Sequence, residues 1–241
     1  MILIRSVLYF VVMALTTLTH GLSIVLLRRF APSGTSDRIA THWGKLNVRL
    51  QRLICGLKVN IVGAENLPTH SMIVMSKHQS TWETISLRGL LMPHQSWVLK
   101  QELLNIPVFG KALIACRAIP IDRKAGRKAV IKVIKEGKQA LDDGRLVVIF
   151  PEGTRTAPGQ RQKYGIGGAI LAEKSGYPVV PIAHNAGVYW KRRGVKKYPG
   201  TIEVRVGAPI ETKDKSASQI IAEVEAWIEG ELEKLPTELA Q

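Results

Sequence analysis

The sequence predicts an α/β fold: one domain built on a mostly parallel or mixed central sheet flanked by helices, behind an N-terminal pair of hydrophobic and amphipathic helices. Three observations predict it. From residue 58 onward, short β-branched runs alternate with stretches of helical period. Several of those runs end alike, with polar and charged residues directly behind the last apolar one, at the strand end where α/β sheets place their chemistry. Before residue 58 there is no such alternation, only an apolar run followed by a basic stretch of helical period.

Ser6 to Leu27 is apolar over roughly 22 residues, long enough to cross a bilayer core as a helix, with only His20 and a few Ser and Thr diluting it. Arg5 would suit a signal peptide, but Arg28-Arg29-Phe30 follows the run where a small-residue cleavage site would stand, which favours a retained membrane segment. Residues 37–57 carry Ile39, Trp43, Leu46, Leu50, Leu53, Ile54 and Leu57 at spacings of three and four, with Arg38, Lys45, Arg49 and Arg52 elsewhere on the wheel. Such a helix suits a membrane interface, and equally suits a helix covering the sheet. Residues 1–64 hold 8 basic residues and 1 acidic one, nearly all the charge lying after the apolar run. That bias places the following domain on the cytoplasmic side. Residues 1–57 are therefore expected to anchor the chain and 58–241 to form the α/β domain.

Expected strands are Leu57–Val62, Ser71–Met75, Ser96–Leu99, Ala118–Ile121, Leu146–Phe150, Val179–Ala183 and Ile202–Val206. Expected helices are Trp82–Leu91, Val108–Ala115, Arg123–Asp142, Gly168–Ser175 and Ser216–Leu235, the last with Ser216 and Gln219 at capping-box spacing. The whole chain of 241 residues is 46% hydrophobic, enough for one substantial core. Its 34 Lys and Arg against 19 Asp and Glu call for a polyanionic partner. With only 6% aromatic residues, mostly outside the basic clusters, base stacking is poorly served, and an anionic lipid surface fits better than nucleic acid. Two cysteines, Cys55 and Cys116, make neither a disulfide framework nor a metal quartet.

Four segments at strand ends carry the chemistry. In KHQSTWE, Lys77–Glu83, a strand delivers His78 to a turn, and Ser80 or Thr81 can cap the helix that carries Glu83. A carboxylate five residues beyond a histidine can fix the ring's tautomer and stabilise its protonated form, as a general base requires. The same Glu in a first helical turn is also what the helix dipole favours in any capping loop. FPEGTR, Phe150–Arg155, offers backbone N–H groups, a hydroxyl and a guanidinium to an anion. Lys100 and Arg123 likewise lie just past strands, so three cations would converge as a phosphate clamp. The fourth segment is VVPIAHNAG, Val179–Gly187.

KHQSTWE, the Lys100–Arg123 segment ending in PIDR, FPEGTR and VVPIAHNAG stand in the order of the glycerophospholipid acyltransferases, which the chain resembles over about residues 55–215. The family pattern has a histidine followed five residues on by aspartate, and here Glu83 replaces the aspartate, moving the carboxylate by roughly 1.5 Å. The resemblance implies that His78, oriented by Glu83, takes the proton of an acceptor hydroxyl. It maps phosphate contacts onto Lys100, Arg123 and the Gly153-Thr154-Arg155 turn, with Glu152 organising that turn. It implies transfer of a fatty acyl group from acyl-CoA or acyl carrier protein to the sn-2 hydroxyl of 1-acylglycerol 3-phosphate (lysophosphatidic acid), giving phosphatidic acid, with no metal or other cofactor. It further implies a place on the cytoplasmic face of a bacterial inner membrane. A sister enzyme acting on another lyso-lipid, such as a lyso-ornithine lipid, is the near alternative. A non-catalytic basic membrane binder is the distant one.

Overall fold

Seven strands form where the β-branched runs stand, and they join one mixed sheet in the order β1-β7-β6-β2-β5-β3-β4. The computed structural model describes residues 1–239. The strands are β1 (Leu57–Val62), β2 (Ile73–Ser76), β3 (Gln95–Lys100), β4 (Ile119–Ile121), β5 (Leu146–Ile149), β6 (Val179–His184) and β7 (Gly200–Val206). β4, β3, β5, β2 and β6 run parallel. β7 is antiparallel to β6, and β1 runs parallel to β7. Five strands therefore present their C-terminal ends along one edge. β2 sits inside this set, Val74 pairing with Val148 on one side and Val180 on the other. All four of its residues are buried, as a continuous apolar run predicts for a parallel strand covered on both faces.

The helices are α1 (Ile2–Leu27), α2 (Thr35–Leu50), α3 (Trp82–Leu90), α4 (Phe109–Ala115), α5 (Arg127–Asp142), α6 (Gly167–Ser175), α7 (Ala186–Tyr189) and α8 (Ala217–Leu232). Alternate residues of the central strands feed two cores. Ile73, Met75, Val147 and Ile149 meet α5, α6 and α8 on one face. Val74, Leu146 and Val148 join Trp82, Ile85 and Trp97 under α1, α2 and α3 on the other.

Three elements differ from expectation. The stretch read as one helix over 123–142 is two pieces, a 3₁₀ turn at Arg123–Ala125 and then α5 beyond Gly126 at φ 50°. Asp122 accepts the Lys124 N–H at 2.9 Å, a local bond that competes with helix formation and takes Lys124 off the helix face. The helix read over 37–57 is α-helical only to Leu50, then widens into a π-helical turn at Gln51–Cys55 that ends on Gly56. α8 opens with the expected capping box of Ser216 and Gln219 but stops at Leu232.

α1 is long and apolar enough to cross a membrane, yet one stripe of it packs along the domain. Near its start the Lys197 N–H donates to Ser6 Oγ at 2.9 Å. Tyr9 is fully buried, donating to Asn47 Oδ1 at 3.0 Å and accepting from Gln51 Nε2 at 2.9 Å. Near its end Ile24 packs with Ala40, Ala112 and Cys116. The opposite side of α1, with Leu3, Phe10, Leu15 and Leu18, is exposed. α2 crosses α3 with backbones in contact at Gly44 and Gly89, where a Cβ on either glycine would run into the other helix's main chain.

Candidate active site

β2 hands the chain to a turn that its own neighbours hold. The Lys77 N–H still donates to Ile182 O of β6 at 2.9 Å, after which the strand ends. Ser80, one residue before the N-cap Thr81, braces the start of α3, accepting the Trp82 N–H at 3.1 Å and donating to Trp190 O at 2.6 Å. Buried and engaged on both sides, the Ser80 hydroxyl braces the turn and is not available as a nucleophile. The fully buried Trp82 ring anchors the helix start.

Glu83 and His78 meet as the spacing predicts. Glu83 Oε1 lies 2.8 Å from His78 Nδ1 and also accepts the N–H groups of Gln79 at 2.8 Å and Ser80 at 2.7 Å. The carboxylate thus holds the turn and the imidazole together. Burial would push its pKa up, but the His78 hydrogen bond, the neighbouring His184 and His78 imidazoles and the Ser80 N–H outweigh burial and hold it below the ordinary range. His78 stacks on Phe150 with ring centroids 4.1 Å apart, and with Nδ1 committed to Glu83 its Nε2 is the nitrogen left for a substrate. His184, buried behind, faces Lys77 O through Nε2 at 2.9 Å and receives the Ala186 N–H on Nδ1. Burial lowers its pKa, so it stays neutral and structural.

Glu152 sits elsewhere than a substrate contact would. It is 5% exposed, accepts the His78 N–H at 2.7 Å through Oε2 and lies 2.8 Å from the fully buried Lys77 Nζ through Oε1. It therefore ties the FPEGTR turn to the His78 turn from behind. Lys77 has a second carboxylate, Glu229 of α8, at 2.8 Å, and Tyr164 donates to that same oxygen at 2.9 Å. A buried lysine between two carboxylates satisfies the rule that interior charges are paired. Glu229 lies in none of the four segments, and in sequence it is one polar residue beside Ile228 on an otherwise ordinary amphipathic helix. No local signal could have singled it out.

His78 opens onto a cavity of about 420 Å³, within the range of ligand sites. Its walls are mainly apolar: Met13, Gly21 and Ile24 of α1, Ala40 and Trp43 of α2, Ile85 of α3, Trp97 of β3 and Ala112 of α4. Lys100, Arg123 and Arg155 line it too, so the three cations read from separate strand ends do reach one space with His78. Parallel β3, β4 and β5 deliver all three to the same edge. Lys100 Nζ lies 2.8 Å from Glu102 and is half exposed. Arg123 is exposed at the rim, and its partial burial lowers its pKa against the pull of Glu102. Arg155 keeps a buried Nε without a protein partner among the described residues. Gly153 and Thr154 do not line the cavity; Gly153, at φ 68°, lets the turn close with its N–H on Phe150 O at 3.0 Å.

Together these groups can take a proton at Nε2, keep the resulting imidazolium beside a fixed carboxylate, and hold an anion at the rim of an apolar cleft. A family model described as Acyltransferase matches residues 58–185. A curated 1-acyl-sn-glycerol-3-phosphate acyltransferase of Pseudomonas aeruginosa is 38% identical over 93% of this chain and 89% of its own length. A protein of the same description from Helicobacter pylori is 32% identical over 56% of this chain and 60% of its own. The crystal structure of the 1-acyl-sn-glycerophosphate (LPA) acyltransferase PlsC from Thermotoga maritima superimposes with a TM-score of 0.82 at 19% identity, covering 100% of this chain and 98% of that one.

Proposed function

The chain belongs to the acyltransferase family, and from that premise we propose that it transfers a fatty acyl group from a thioester to the sn-2 hydroxyl of 1-acylglycerol 3-phosphate, with phosphatidic acid as product. One observation carries the reading: the His78–Glu83 pair opens into an apolar cavity whose lining includes Lys100, Arg123 and Arg155. An apolar cleft of that kind suits an acyl chain, and the cations suit a phosphate.

His78 Nε2 removes the hydroxyl proton as the oxygen attacks the thioester carbonyl, and Glu83 supports the charge that appears on the ring. Collapse of the tetrahedral adduct expels the thiolate, which takes the proton back from His78. The three cations hold the acceptor phosphate so that the hydroxyl meets the carbonyl as a positioned neighbour. The thioester supplies its own activated carbonyl, so this reading calls for no metal or prosthetic group. The donor is either acyl-CoA or an acyl carrier protein thioester.

Membrane attachment follows from α1. Its inner stripe is packed against the domain from Ser6 to Ile24 while its outer side is apolar and exposed, a shape that suits lying within one leaflet. The basic excess that follows α1 favours the cytoplasmic face of the inner membrane and contact with anionic headgroups. In that reading residues 1–57 are the anchor and 58–241 the acyltransferase domain.

The test is to give purified protein labelled acyl thioester with 1-acylglycerol 3-phosphate, a phosphate-free lyso-lipid or no acceptor, and to identify the products. Labelled phosphatidic acid is expected only with the first, and His78→Ala should lose about 10²–10⁴-fold in kcat while staying folded. Faster transfer to the phosphate-free acceptor, or wild-type turnover in His78→Ala, would overturn the assignment.

A further inference from the structure

Arg88 lies in the last turn of α3, the end away from His78, and is 7% exposed. What exposure it has includes the apolar cavity, which it lines. A guanidinium carries five N–H donors in a planar fork. Here the protein offers one acceptor at the limit of range, Gln95 O at 3.5 Å from Nη1, and the face of the Trp97 ring at 5.3 Å. No carboxylate lies within ion-pair distance among the described residues. The nearby Asp37 is taken by Arg145, which grips both its oxygens at 2.7 and 2.8 Å. The C-terminal dipole of α3 and the Trp97 ring compensate part of the charge, but neither accepts the remaining donors. No further protein acceptor serves the fork among the described residues, so the part of it that reaches the cavity is open to an acceptor there.

Resting on the acyl-transfer reading, we propose that Arg88 is the hydrogen-bonding end of a subsite for an oxygen function, a hydroxyl or keto group, carried inside the transferred acyl chain. The transferred chain is the relevant one because its carbonyl must stand beside His78. The depth is bounded by a run of adjoining groups: His78 to Phe150 at 4.1 Å, Phe150 to Trp97 at 5.8 Å, and Trp97 to the Arg88 guanidinium at 5.3 Å. At about 1.3 Å of advance per methylene, the oxygen falls no more than about twelve carbons from the carbonyl. That bound excludes the far end of a long chain, and the place of Arg88 in the last turn of α3, away from His78, sets it off from the carbonyl, so the subsite selects mid-chain oxygen.

The experiment compares kcat/KM for coenzyme A thioesters of palmitate and of its hydroxy derivatives with the hydroxyl beside the carbonyl, in mid-chain, or at the terminus. In the wild-type protein the mid-chain derivative should exceed the other two hydroxy chains by about tenfold to hundredfold, the range of one buried charge-assisted hydrogen bond. Arg88→Met, similar in length and apolar, should erase that advantage while leaving palmitate turnover equal or higher. Should Arg88→Met fail to fold, the positional series in the wild-type protein decides alone. No mid-chain preference, or a preference that survives in Arg88→Met, would overturn the subsite and leave acyl transfer standing. No turnover of palmitate itself would sink the underlying reading as well.

Discussion

Glu83→Asp should cost this protein far more than the loss of one methylene suggests. A single oxygen, Oε1, receives His78 Nδ1 at 2.8 Å and two backbone N–H groups at 2.8 and 2.7 Å. Shortening the side chain withdraws the carboxylate by roughly 1.5 Å, enough to carry all three contacts out of hydrogen-bonding range. The helix cannot follow it down, because Trp82 is fully buried, Ser80 is clamped to Trp190 O and α3 is locked against α2 at Gly89. A hydrogen bond to a charged group is worth about 1.5–3 kcal/mol. The share that supports the His78 imidazolium therefore sets an expected fall in kcat of about tenfold to hundredfold. KM for both substrates should move little, since Glu83 does not line the cavity. Steady-state acyl transfer with each substrate varied in turn, beside a melting curve, reads this directly. A kcat within about threefold of wild type would refute the idea that this frame is fitted to glutamate. Glu83→Gln keeps the reach and loses the charge, and its stability carries a sign. The folded-state pKa of Glu83 is depressed, so its stabilisation over Gln is fully present above the ordinary carboxylate value of about 4.3 and is lost as pH falls through the lower folded value. The melting gap between wild type and Glu83→Gln should hold steady from neutral pH to about 5 and close below about 4.

Three further outcomes are expected. Arg155→Ala should lose about tenfold to hundredfold in kcat/KM for the phosphorylated acceptor, with Arg155→Lys recovering only part. Equal losses in donor hydrolysis without acceptor would show that Arg155 serves something other than the phosphate. Glu229→Ala, which strips Lys77 of one of its two carboxylates, should lower kcat about tenfold with KM held. Glu229→Gln should keep most activity, because its amide oxygen can still accept from Lys77 and Tyr164, and an unchanged kcat in Glu229→Ala would remove its positioning role. Leu15→Glu with Leu18→Glu, on the exposed side of α1, should weaken vesicle binding about tenfold or more without lowering the melting temperature. Retention equal to wild type would place the membrane contact elsewhere.

The strand-turn-helix unit from Ile73 to Leu90 was legible in the sequence because its signals are local: a β-branched run, a capping serine, a first-turn carboxylate. The convergence of Lys100, Arg123 and Arg155 was legible only as coincident strand ends, since adjacency in the sheet is not written in any one segment. β5 inserts between β2 and β3, strands that precede it in the chain, and that choice brings FPEGTR against His78. The partners through which Glu152 organises its turn, Lys77 and the His78 N–H, are 74 or more residues away and could not be read from its own segment. The antiparallel turn of β7 and the reach of Glu229 also depend on tertiary packing, which periodicity does not encode, while the break at Gly126 is local but is a capping effect that periodicity passes over.

The contact of Gly44 with Gly89 fixes α2 to the helix that bears Glu83, and α1 supplies one wall of the cavity. With α1 as the proposed anchor, anchor and active site are joined without a hinge and set at one depth. On that proposal the enzyme meets its lyso-lipid sideways, in two dimensions, and never has to lift it out into water. Its rate is governed by how crowded the acceptor is within the surface, and not by how much of it the solution contains. Inert lipid added to the same vesicles thins the substrate in that plane and slows the reaction, although nothing has been removed from the tube.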